Sequence, residues 1–262
     1  MSPRLPVYCS LLSLSAISLS AEESQWVSLF NGKDLSGWTI KIANHPLGEN
    51  FAKTFRVEDG MIKVCYDGYA KFDKQYGHLF TNLAYSHYIL RMEYRFTGKM
   101  MADAPKYVNL NSGVMIHAQP PQSMRMDQGF PASLEVQFLA DEGKGPRATA
   151  NLCTPGTNIE LGGKLVTQHI IKSTAPTFPA EQWVQIEAEV HGNDEIIHRV
   201  NGVEVLRYQR PQLDPNNSNA PATDQIEAGG NFMLSYGHIA LQAEGQPVWF
   251  RKIELKSLEV RK

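Results

Sequence analysis

Glu135 and Gln137 stand two residues apart in the run S-L-E-V-Q-F, where polar and apolar residues alternate. In an extended chain that spacing projects both side chains from one face. A carboxylate there can act as an acid or a base, and a neighbouring amide can fix a hydroxyl group. The same pair is also ordinary on a solvated strand face. Asn111, Gly113, Met115 and His117 share a face of N-S-G-V-M-I-H. Gly113 removes a side chain in mid-strand, which lets a ligand approach the backbone. His117 beside that gap has a pKa suited to proton transfer; a β-bulge with a surface histidine is the plainer alternative. Glu93 and Arg95 form another polar pair, able to orient a ligand or to make a cross-strand ion pair. Gln242 and Glu244 repeat that spacing near the C-terminus. Asn151, Cys153 and His169 flank the turn-rich T-P-G-T, and His169 is a second candidate acid or base.

The common site motifs are absent. There is no phosphate loop, no GxGxxG, no HExxH, no CxxC and no GxSxG elbow. Chemistry would have to come from polar side chains spread over several strands and brought to one face. The eight histidines contain no HxH or HxxxH pair, so spacing defines no metal centre. A calcium site built from backbone and Asp/Asn oxygens would leave no such pattern, so a divalent ion stays open and no cofactor is certain.

Strands are the elements that must carry these residues. Residues 89–96, 133–138, 183–191 and 238–244 each alternate with period two. Residues 196–200 and 203–208 flank Asn201-Gly202, a dipeptide suited to a type I′ hairpin turn. No segment beyond the N-terminus keeps a 3.6-residue period over three turns. Many alternating strands imply two packed sheets sharing a core. Residues 99–107 and 211–230 read as long loops, of the kind that wall or cover a site.

The chain has 262 residues and a net charge of −2, so no overall field favours nucleic acid or an anionic membrane. Residues 5–19 are apolar, serine-rich and uncharged, and Ser18-Leu19-Ser20-Ala21 offers small residues for cleavage before Glu22-Glu23. That layout predicts a signal peptide over 1–21, a single domain over 22–262, and export to the periplasm or beyond. No second apolar run is long enough to span a membrane. Cys65 and Cys153 remain after cleavage, with one disulfide and two free thiols equally compatible with the sequence.

The run F-N-G-K-D-L-S-G-W at residues 30–38 resembles the opening of the 3-keto-disaccharide hydrolase family, formerly DUF1080. The resemblance continues through L-R-M-E-Y-R, N-S-G-V and E-V-Q-F, and ends with G-H-I-A-L-Q-A-E-G and V-W-F-R-K-I. The matches run in order over nearly the whole mature chain. One departure is Ile170, where the resemblance leads us to expect a cysteine; if that cysteine pairs with the equivalent of Cys153, this chain has lost the bridge. The resemblance implies an all-β, concanavalin A-like jelly-roll β-sandwich of two antiparallel sheets. It also implies an enzyme acting on oxidised di- or oligosaccharides or other glycosides bearing a ketone at C3. Cleavage then runs by C2 proton abstraction, β-elimination and hydration. On that basis Glu135 or His117 is the expected base. Arg95 or a metal would stabilise the enolate, and His169 would protonate the leaving oxygen. Glu93, Asn111, Gln137, Asn151, Gln242 and Glu244 are the expected substrate-binding residues. A non-catalytic, lectin-like carbohydrate-binding domain is the competing reading. A conventional glycosidase would instead need two facing carboxyl groups about 5–9 Å apart.

Overall fold

The computed structural model describes residues 25–217, 220–227, 229 and 232–259; the expected signal peptide at 1–21 lies outside them. In chain order the strands are β1 (Trp26–Ser28), β2 (Trp38–Ile42), β3 (Phe55–Glu58), β4 (Met61–Val64), β5 (Gly77–Tyr85) and β6 (His87–Phe96). They continue as β7 (Asn111–Ala118), β8 (Leu134–Leu139), β9 (Asn151–Cys153), β10 (Thr157–Leu161), β11 (Lys164–Val166) and β12 (Ile170–Ile171). The last are β13 (Val184–His191), β14 (Glu195–Val200), β15 (Val203–Leu213), β16 (Gly237–Ala243) and β17 (Val248–Ser257), with a short α-helix, α1 (Ala222–Glu227), after β15 and single 3-10 turns at Phe51–Lys53, Lys106–Val108 and Pro121–Ser123.

Each predicted period-two segment is a strand. The N-G turn joins β14 to β15 with φ of +49° at Asn201 and +80° at Gly202, the left-handed pair that a type I′ turn requires. Residues 211–213 extend β15, so the second predicted loop starts later than expected and contains α1.

The strands form two antiparallel sheets, a jelly-roll β-sandwich. One has ten strands, in the order β11-β10-β15-β14-β13-β6-β17-β4-β3 with β1 on β17; the other has seven, ordered β12-β9-β8-β7-β16-β5-β2. Leu90, Met92, Tyr94 and Phe96 of β6 meet Leu134, Val136 and Phe138 of β8 in the shared core. Tyr94 and Phe138 stack across the interface with centroids 4.3 Å apart and planes 3° apart. Tyr94 Oη donates to the Leu139 carbonyl at 3.0 Å, which satisfies its hydroxyl inside the core.

The two sheets differ on their outer faces. On β6 the outward residues stay partly exposed, whereas every residue of β7 and β8 is buried. Part of the seven-stranded sheet's outer face is sealed by Met124, which packs on Phe80, Met115, Ala118 and Ala240. The remainder of that face carries polar residues. Phe138→Ala should destabilise the fold by about 3–5 kcal/mol, because a stacked aromatic leaves a cavity between two sheets that cannot collapse onto each other. Equilibrium denaturation measures this; a loss below about 1 kcal/mol would contradict the packing described.

Candidate active site

The pairing of β7, β8 and β9 lays out the site. Met115 faces Glu135 and Glu135 faces Cys153; one row along, Gly113 faces Gln137 and Gln137 faces Asn151. Asn111, Gln137 and Asn151 form a chain of amides. Asn151 Nδ2 donates to Gln137 Oε1 at 3.0 Å, and Gln137 Nε2 donates to Asn111 Oδ1 at 3.3 Å. Backbone groups anchor both ends. Asn111 Nδ2 donates to the Tyr107 carbonyl, and Asn151 Oδ1 accepts from the Ser173 amide. These bonds hold three polar side chains in fixed rotamers on one wall.

Glu135 lies across the neighbouring strand. A Cβ built on Gly113 would sit 2.5 Å from Glu135 Oε1 and 2.7 Å from its Cγ. Gly113 is therefore the position that admits the carboxyl, and no other residue type leaves that space. Glu135 is only 6% exposed, and burial pushes its carboxyl up to about 8. Glu244, one residue beyond β16, is also buried. Burial raises its pKa well above the usual carboxylate range, and the nearby Glu135 raises it further.

Both carboxyls line a cavity of about 740 Å³. Asn111, Gln137, Asn151, Cys153 and His169 line it too, so six of the ten expected site residues share one pocket. Burial lowers the pKa of His169. Gln242, two residues before Glu244, does not line this cavity; Leu241 and Ala243 on either side of it face the core.

Three expectations are corrected by position. His117 adopts φ of +49° at a β-bulge where the pairing of β7 with β16 shifts register. A bulge breaks period two, so its ring leaves the Glu135 face and donates from Nε2 to the Gly192 carbonyl at 2.8 Å. It lines a separate cavity of about 480 Å³, which Leu213, Asp224, Gln225 and Gly229 also line. Arg95 and Glu93 belong to β6, on the outer face of the opposite sheet. Arg95 is sandwiched between Trp183 and Trp249, with its guanidinium 4.8 and 4.5 Å from their rings. Glu93 accepts from Arg251 Nε at 2.6 Å and Lys252 Nζ at 2.8 Å, the ion-pair role weighed above. Period two identifies an outward face but not the sheet to which it belongs.

The pocket also contains residues that strand patterns could not find. Lys106, Tyr107, Phe130, Glu142, Lys144, Arg147 and Lys172 come from loops and strand ends. The signal for Lys106 and Tyr107 was the 99–107 loop, which does wall the site. Arg147 is committed to the carbonyls of Asn109, Leu110 and Ala140 and to Glu142. Lys144 pairs with Glu142 at 3.5 Å, which leaves Lys106 and Lys172 as the pocket cations with no ion pair among the described residues. Among those residues no three His, Cys, Asp or Glu side chains gather as metal ligands. Cys65 and Cys153 are free thiols, and Ile170 is the register partner of Cys153. No described helix is long and apolar enough to cross a membrane.

Comparison with known proteins gives a match to one family model. Residues 25–256 match the model described as a 3-keto-α-glucoside-1,2-lyase-like domain. Comparison with curated proteins finds no match. Among solved structures, a candidate glycosyl hydrolase from Parabacteroides distasonis ATCC 8503 superposes with TM-score 0.52 and 18% identity, covering 89% of this chain and 94% of that one. A Bacillus subtilis protein of unknown function with a galectin-like fold superposes with TM-score 0.54 and 11% identity, covering 90% and 96%. At these identities the likeness establishes the fold.

Two predictions follow from the geometry. Gly113→Ala should displace the Glu135 carboxyl by about an ångström or more and lower turnover about 100-fold in a protein that still folds; wild-type turnover would show that the carboxyl is not working where it lies. The second concerns pH. Below about 4.5 the Glu135 carboxyl is protonated in both states. Above that the unfolded chain releases the proton, while the folded chain keeps it until about pH 8. Stability should therefore fall as pH rises through this window. Thermal unfolding of wild type and Glu135→Gln across pH 4–9 checks this, and the variant should show the shallower decline.

Proposed function

Because the chain belongs to the 3-keto-α-glucoside-1,2-lyase-like family, matched over residues 25–256, we propose that its pocket cleaves glycosides or disaccharides bearing a ketone at C3. The observation that carries this reading is the pair of buried carboxyls, Glu135 and Glu244, sharing one pocket and both holding their protons above the usual carboxylate range. A C3 ketone acidifies the hydrogen at C2, since the resulting carbanion is an enolate. A base removes that proton, the C1–O bond breaks, and water then adds to the unsaturated ketone. No oxocarbenium ion forms, so the fixed carboxyl spacing of ordinary glycosidases is not required.

Glu135 is the base. A carboxyl with its pKa near 8 is a stronger base than an exposed one, yet is partly ionised near neutral pH, the compromise that proton abstraction favours. Glu244, whose carboxyl burial and the nearby Glu135 also keep protonated, is the acid for the departing oxygen. It takes the role first expected of His169, whose imidazole burial keeps neutral. Lys106 or Lys172 replaces Arg95 as the cation at the developing enolate oxygen. Asn111, Gln137 and Asn151 bind hydroxyls, and Phe130 offers an apolar ring to a sugar face. A lectin-like domain could use the amides and the ring but has no need of two proton-holding carboxyls. Export rests on the leader pattern at residues 1–21 and belongs to the same proposal.

The test uses a 3-keto-glucoside and its unoxidised parent in deuterated water. The oxidised substrate should exchange at C2 and cleave, and the parent should do neither. Glu135→Gln should slow exchange by about 10²–10⁴-fold. Glu244→Gln should slow loss of a poor alcohol leaving group by about 10²-fold, and loss of a nitrophenolate much less. Cleavage of the parent alone sinks the proposal, and binding without exchange or cleavage identifies a lectin. An unchanged exchange rate in Glu135→Gln removes Glu135 from the role of base.

A further inference from the structure

The polar row that reaches Glu135 continues across the seven-stranded sheet. His78 on β5 is the register partner of Gln242 on β16. Ser112 Oγ donates to the Gln242 carbonyl at 3.1 Å, which places Gln242 beside Gly113, the residue crossed by the Glu135 carboxyl. Glu244 follows two residues after Gln242. His78 and Gln242 are both 0% exposed and Glu244 is 4% exposed. Both ring nitrogens of His78, both amide atoms of Gln242 and Oε2 of Glu244 have no protein partner among the described residues.

Unpartnered buried polar atoms are rare, and an apolar side chain of similar shape usually serves as well or better. A contiguous file of five such atoms therefore points to a polar guest. The neighbours do not supply one. Lys41, the other register partner of His78, gives its ammonium to the carbonyls of Ile42, His45 and Met126. Phe80 and Phe130 present only rings, with centroids 6.0 and 6.1 Å from that of His78. Donors and acceptors on adjacent strands, roofed by aromatic rings and ending at a carboxyl, make a setting suited to bound water.

We propose that His78 and Gln242 hold the water that adds at C1 after elimination, with Glu244 receiving its proton. This rests on the elimination chemistry proposed above. Elimination leaves C1 and C2 doubly bonded and conjugated to the C3 ketone, with the C2 proton on Glu135 and Glu244 left as a carboxylate. The water oxygen bonds to C1, and its proton passes to Glu244 Oε2. The C1–C2 double-bond pair moves to form the enolate, with its charge on the C3 oxygen. Glu135 then returns its proton to C2 and the ketone re-forms. Both carboxyls end as they began, and one water is consumed. Burial lowers the His78 pKa to about 3, so the ring stays neutral, with one nitrogen a donor and the other an acceptor. It orders water without placing a second charge near Glu244.

Gln242→Leu and His78→Phe test this. With a 3-keto-glucoside as substrate, products divide between the unsaturated ketone, read by its ultraviolet absorbance, and the hydrated keto-sugar, read by chromatography. The ratio of unsaturated ketone to keto-sugar should rise tenfold or more in both variants, and His78→Gln should bring it back toward wild type. The ratio is taken within one reaction, so loss of folded protein does not move it. An unchanged ratio overturns the proposal, as does an equal rise in His78→Gln and His78→Phe. A crystal structure of the wild type gives a second arm. Ordered water contacting Gln242 and His78 supports the proposal, and a file packed without water overturns it. If the wild type yields neither product, the elimination reading has failed, and the crystallographic arm still reports on the water itself.

Discussion

A carboxyl group buried in a protein without a counter-ion is stable only when it keeps its proton. Glu135 and Glu244 are in that condition together, and much of the pocket can be understood from it. Removing either from water raises its proton affinity, and the nearby Glu135 raises that of Glu244 further. Gly113 makes the arrangement sterically feasible, because the Glu135 side chain occupies the space where any other residue would have a Cβ. The amide chain of Asn111, Gln137 and Asn151 supports the same wall through neutral hydrogen bonds rather than charge. Two of the pocket cations are tied up: Arg147 by backbone carbonyls and Glu142, Lys144 by Glu142. A guanidinium bonded directly to Glu135 would pull its pKa down and remove its strength as a base.

The two sheets divide the labour. The ten-stranded sheet turns a charged and aromatic face outward, where Arg95, Trp183 and Trp249 stack and Glu93 bridges Arg251 and Lys252. The seven-stranded sheet is covered on both faces, by the core on one side and by Met124 and the site walls on the other. Burial is deepest on that outer face, and the two carboxyls with raised pKa values are found there.

Much of this was readable from one sequence. The period-two runs identified the strands, the Asn201-Gly202 turn and the split between core-facing and outward residues, because the pleat imposes that alternation locally. Glu135 and Gln137 could be paired for the same reason, and Gly113 could be marked as a gap. His117 was placed on the wrong side because a single bulge reverses the alternation, and nothing in N-S-G-V-M-I-H distinguishes a bulged strand from a regular one. Arg95 and Glu93 looked equivalent to Glu135 because every outward strand face has the same pattern. Lys106, Tyr107, Phe130 and Lys172 come from irregular segments and had no periodic signal.

The sequence by itself determined the all-β class, the hairpin turn, the strand faces and, through ordered family strings, the kind of sugar to consider. These are set by local sterics and by residue order, both of which the chain carries along its length. Tertiary structure alone decided which outward face is dry, which strands are neighbours and which carboxyls meet. Burial and cross-strand register arise only when segments distant in sequence pack together, and it is burial that turns Glu135 and Glu244 from ordinary surface acids into a proton-holding pair.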